Sequence, residues 1–178
     1  AVNDSGAETK RILENIEGIV RHAWEELPDL EICFVYTLAH KEMLEELQSG
    51  RFPRAASVME IVADRYGIPS IHLGPEIAER VRNHRLVFKG SQADFDENGR
   101  KTDGTMLFSE DGVHPLVETG HRIYAEVIAR SMNQIESVKP VLSGAHYLGV
   151  PLTKARRENA RVFPLSKEWM KNGWRKLV

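Results

Sequence analysis

Two kinds of apolar spacing alternate along the first half of this chain, and their order limits the architectures open to it. From Glu8 to Glu26, Ile12, Ile16, Ile19, Val20 and Ala23 recur at intervals of three and four, the stripe of an amphipathic helix. Pro28 and Asp29 end the pattern. "EICFVY" follows, a short apolar run of β-forming residues that predicts a buried strand. Helical spacing returns from Ala55 to Tyr66 through Val58, Met59, Ile61 and Val62, and Gly67 stands where a helix C-terminal glycine belongs. "IPSIHL" predicts a second buried strand, and Pro75 opens a short helix reaching about Asn83. Helix, strand, helix, strand with short connections implies parallel strands crossed by helices, an α/β layered fold.

The rhythm breaks between Arg85 and Phe108, where Asn98-Gly99 between two mixed runs predicts a hairpin or a surface excursion. After His114-Pro115, the run Leu116 to Met132 carries Ile123, Tyr124, Val127 and Ile128 at helical spacing, the last amphipathic helix. Residues 134–178 change character. Pro140, Pro151 and Pro164 interrupt them, and they read as an extended tail or the start of a second, β-rich module beyond a domain at 1–133. Two parallel strands make a poor sheet, since stability wants at least three strands with covered faces. The fold therefore reads as incomplete at its N-terminus.

Composition narrows the partners. The 178 residues are 42% hydrophobic with a formal charge of -2, so charge gives no reason to expect nucleic acid or an acidic membrane surface. No stretch reaches the roughly 18 apolar residues of a membrane span. The single cysteine, Cys33, lies in the apolar run "LEICFVY" and reads as a core residue. The chain opens "AVNDSGAETK" without a methionine or a signal peptide, and it reads as cut from something longer.

"SEDGVHPLVETGH", residues 109–121, holds the chemistry. An imidazole is a general base near neutral pH, its unperturbed pKa being about 6.5. To take a proton with one ring nitrogen it presents the other nitrogen's proton to an acceptor, and a carboxylate fixes that tautomer. Asp111, three residues before His114, lets one turn supply both groups. Gly112 gives that turn backbone freedom, and Pro115 starts the helix that anchors His114.

These residues resemble the SGNH (GDSL) hydrolases, serine esterases and acylhydrolases that carry an Asp-x-x-His motif before their final helix, matched by Asp111 to Pro115. The opening "AVNDSGAE" is similar to the family's Gly-x-Asn-Asp motif, with Ala1 in the place of the glycine, then Asn3 and Asp4. "ASVMEIVADRYGIPSIHL" is similar to the helix-to-strand passage between the two motifs, and the likeness spans about Ala1 to Met132. The resemblance implies a flavodoxin-like three-layer α/β/α fold and a Ser-His-Asp relay. His114 would be the general base, Asp111 its orienting partner, and Asn3 a side-chain donor to the oxyanion. The family's Gly-Asp-Ser motif lies earlier than Gly-x-Asn-Asp and has no counterpart in this chain, so the nucleophile would lie outside it. Ser5 stands right after Asn3-Asp4 but reads as a helix N-cap. The chain alone should then turn over no ester.

The resemblance therefore implies a fragment of a carboxylic ester hydrolase acting without cofactor on a small-molecule or glycan ester. "KARRENARVFPLSKEWMKNGWRKLV" is similar to extensions of carbohydrate-acting members, which points to a carbohydrate esterase or deacetylase, secreted or periplasmic. A non-catalytic binding module on a hydrolase scaffold is the alternative. A metal-dependent hydrolase is a further one, but His114, Glu118 and His121 lack compact ligand spacing. His40, after "FVYTLA", reads as surface or the mouth of a cleft, and Trp169 and Trp174 as aromatic anchors of the tail.

Overall fold

The first helix, α1 (Thr9–Glu26), shows what the spacing of its residues can and cannot determine. Ile12 and Val20 are buried, as the stripe requires, and Trp24 outside it is buried too, whereas Ile19 is exposed. Glu17 and Arg21 replace it on the covered face, so α1 buries a broader arc than its apolar residues mark. The N-cap is Glu8, without a side-chain cap. Ser5 is therefore not the cap, and its carbonyl accepts a hydrogen bond from Arg54 instead.

The computed structural model describes residues 3–138 and 144–161. After α1 come β1 (Phe34–Tyr36), α2 (Lys41–Gln48), α3 (Arg54–Tyr66), β2 (Ser70–His72) and α4 (Gly74–Arg82). Strand β1 pairs with β2 in parallel, Val35 opposite Ile71. Gly67 closes α3 in the left-handed region at φ 67°, where a side chain would be strained. This is the alternation that the sequence predicts, with α2 as an additional helix between β1 and α3.

Helices cover both faces of the β1–β2 pair. Ile12 of α1 packs with Tyr36 and with Ala55, Ala56, Val58 and Met59 of α3, and farther along Val20 and Trp24 meet Val62, Ala63 and Ile68. On the opposite face, Ile71 joins Leu44 of α2, Ile77 of α4, and Phe108, Ile123 and Tyr124 from the C-terminal half. The molecule is mixed α/β with small parallel sheets. Among the described residues β1 has one strand neighbour, and Val35 is 44% exposed although its partner Ile71 is buried.

Between Arg85 and Phe108 the chain makes a surface excursion with only local antiparallel contacts, the Asp96 N–H to the Arg100 carbonyl and an isolated bridge between Arg100 and Met106, and no hairpin of two strands. Strands β3 (Leu86–Lys89) and β4 (Met106–Ser109) flank the segment but run parallel, Leu86 opposite Met106. A two-residue hairpin turn joins only antiparallel strands. The Asn98-Gly99 turn belongs to the surface excursion that carries the chain back to start β4 beside the start of β3. The Asp96 carboxylate accepts the Asn98 and Arg100 N–H groups within it. The last helix also begins differently: Val117–His121 form a π-helical turn before α5 (Arg122–Ser137). A Cβ on Gly120 would come within 2.5 Å of the Pro115 Cβ and 2.8 Å of the Phe108 carbonyl oxygen, so that turn closes only around a glycine.

Residues 144–161 lie back across α1. His146 stacks on Trp24 with ring centroids 4.1 Å apart, and its N–H donates to the Pro28 carbonyl. Thr153 donates through both its N–H and its hydroxyl to Glu17. The expectation of a β-rich module falls largely on residues 162–178, which lie outside the described residues together with Trp169 and Trp174.

Candidate functional site

The loops that leave the carboxyl ends of β1 and β4 meet. The His40 N–H, in the loop after β1, donates to the Gly112 carbonyl in the turn after β4 at 2.8 Å. The buried Tyr124 hydroxyl of α5 holds the same β1 loop, accepting from the Leu38 N–H at 2.9 Å and donating to the Leu38 carbonyl at 3.2 Å. Burial pushes the Tyr124 phenol up to about 12, so it stays a neutral clasp. In parallel α/β sheets this is the end where ligands and catalytic groups collect.

The turn brings Asp111 and His114 together. The His114 Nδ1–H donates to Asp111 Oδ2 at 2.6 Å. Asp111 Oδ1 accepts the N–H groups of Val113 at 2.7 Å and His114 at 2.8 Å, and the Ser109 hydroxyl at 2.9 Å. The hydrogen bond from the His114 ring, then those from the backbone and Ser109, hold the Asp111 carboxyl well below the usual carboxylate range. An ionised carboxylate only accepts, so the His114 proton facing it sits on Nδ1 and leaves Nε2 as the basic nitrogen. His114 is 85% exposed. The ring is thus fixed in one tautomer while remaining open to an incoming group.

Ser109 carries more of this arrangement than its place in the motif suggests. Its side chain is fully buried, donates to Asp111 Oδ1 and accepts the Gly112 N–H at 2.9 Å. One hydroxyl therefore sets both the carboxylate and the backbone of the turn. A serine two positions before the aspartate was the available signal, and it is silent until burial is known. Ser109→Ala leaves the Gly112 N–H unpaired and is expected to cost about 1–3 kcal/mol in thermal or urea unfolding.

Asn3 is exposed in the turn leading into α1, and no hydrogen bond joins it to Asp111 or His114. Of the three expected site residues, hydrogen bonds join Asp111 and His114 to each other and do not join Asn3 to them. Glu118 and His121 lie in the π-helical turn, and among the described residues no cluster of three or more His, Cys, Asp or Glu side chains could hold a metal ion. Cys33 is half-buried against the main core and its thiol is pushed up by burial, which makes it a poor nucleophile. No helix among the described residues is long and apolar enough to cross a membrane.

Beside the pair opens a cavity of about 520 Å³, lined by Asp111 and Gly112, by His40, Lys41 and Glu42, and by Leu44, Phe88 and Lys89. Comparison with protein-family models, with curated proteins and with solved structures finds no match for this chain.

Proposed function

We propose that the chain is the relay-bearing part of a serine ester hydrolase of the SGNH (GDSL) type, acting on a small-molecule or glycan ester. The observation that carries this reading is the Asp111–His114 pair, a carboxylate fixed by four hydrogen bonds and an imidazole whose Nε2 is left free and exposed. A histidine serving only the fold would gain nothing from this arrangement, because its ring packs against little.

The serine nucleophile comes from residues preceding Ala1 in the full-length protein. Exposed Val35, and an edge of β1 that no strand among the described residues pairs, support such a neighbour, since an apolar side chain opposite a buried one marks a face with room for more chain. His114 Nε2 takes the serine proton as the Oγ–acyl bond forms, then returns it to the departing alcohol, and water repeats the cycle on the acyl-enzyme. Asn3 donates its amide to the oxyanion once the full chain positions it.

The protein extended upstream of Ala1 tests the reading. A fluorophosphonate is expected to add once per chain, on a serine before Ala1, and to abolish hydrolysis of a short-chain ester that chelators leave untouched. Hydrolysis that resists the phosphonate but is lost to chelators would assign the chemistry to a metal instead.

A further inference from the structure

The His40 backbone is held at φ 64° and ψ 148°. That pair lies outside the left-handed helical well, at the edge of a region populated almost only by glycine, and a side chain there is strained. Such strain persists where surrounding contacts enforce it, and here the His40 N–H bonded to the Gly112 carbonyl does so. His40 so placed lines the cavity that Asp111 and Gly112 also line. His40 makes no side-chain hydrogen bond or ion pair within the described residues, so nothing in the fold itself uses its ring.

The cavity has the volume of a small-molecule site. Leu44 and Phe88 contribute apolar lining, while His40, Lys41, Glu42 and Lys89 offer donors and acceptors. An aromatic and aliphatic lining mixed with polar groups suits a ligand with C–H faces and many hydroxyls better than a plain acyl chain or a single charge, because the lysines and Glu42 oppose any one sign.

From this we infer that the cavity binds the hydroxyl-rich part of the ester and that His40 is a substrate-positioning residue, its strained backbone retained to aim the ring at a substrate hydroxyl. The inference rests on the ester-hydrolase reading and deepens it by assigning the side of the dyad on which the polyol sits.

The test uses the upstream-extended protein with His40→Ala, which keeps the strain, and His40→Gly, which relieves it. The probes are mono-O-acetyl methyl glucoside and 4-nitrophenyl acetate, the same acyl group with and without hydroxyls. Both variants are expected to lose about tenfold in kcat/KM on the sugar ester, the worth of about one hydrogen bond, and less than threefold on the nitrophenyl ester. His40→Gly is also expected to raise Tm by about 2–4 °C relative to His40→Ala. Equal losses on both esters, or none on the sugar ester, would overturn the cavity assignment while leaving the hydrolase reading intact. A wild-type protein that cleaves neither ester would overturn both.

Discussion

His114→Ala in the upstream-extended protein is expected to lower kcat on a short-chain ester by at least about 10⁴-fold while leaving the fold in place. The side chain is 85% exposed and packs against little, so its loss should move Tm by no more than about 2 °C. Asp111→Asn is expected to fall by about the same factor for a different reason. An amide at Oδ2 can present N–H to the ring, which stabilises the tautomer whose proton sits on Nε2 and removes the base. Asp111→Asn also weakens three further hydrogen bonds in the turn, so circular dichroism and a melting curve should accompany its kinetics. The pair acts as a unit, and the double variant should be little worse than either single one.

The second large effect is on stability. Glu17 is buried and accepts from the Tyr66 hydroxyl at 2.7 Å, from the Leu152 N–H, and from the Thr153 N–H and hydroxyl at 2.8 Å each. Arg21, also buried, donates to the Tyr66 hydroxyl and to the Leu148 and Gly149 carbonyls, and lies 3.6 Å from buried Glu158. Glu17→Ala leaves several donors unpaired beside a buried guanidinium. It should cost about 3–5 kcal/mol and expose residues 148–153 to proteolysis. Burial alone would raise the Glu17 carboxyl, but the hydrogen bonds from Tyr66, Leu152 and Thr153 outweigh it and hold the group below its ordinary value. A carboxyl depressed in the folded state adds stability above its unfolded pKa of about 4.3 and loses it as pH falls toward the folded value. Below about pH 4 the segment across α1 is therefore expected to loosen, read as faster proteolysis there. Glu17→Gln should be cleaved at a rate that changes little over the same range.

α1, β1, α3 and β2 could be read from apolar spacing because helical and strand periods alternate among them, and Pro75 marked α4, whereas α2 has no such stripe in the reading. β3 and β4 could not, because their parallel register is set by packing against α4 and α5 rather than by a turn, so Asn98-Gly99 signalled a bend without signalling the direction of the chain beyond it. The buried Glu17, Arg21 and Glu158 were equally hidden, since charged residues on a helix or in a tail ordinarily face water. Their partners come from residues 144–161, returning across α1, and from Tyr66 of α3.

The Asp111–His114 pair was legible because three residues of separation in one turn bring a carboxylate and an imidazole into reach. What supports it was not. Ser109 acts through burial, His40 through a backbone angle, and Tyr124 through a contact 86 residues away in sequence. None of these leaves a mark in a spacing pattern.

A structure of the upstream-extended protein with a phosphonate on its nucleophilic serine measures the convergence directly. The proposal predicts His114 Nε2 about 3 Å from the serine Oγ and the Asn3 amide about 3 Å from the phosphoryl oxygen. A phosphonylated serine beyond reach of His114, with packed side chains between them, would contradict it.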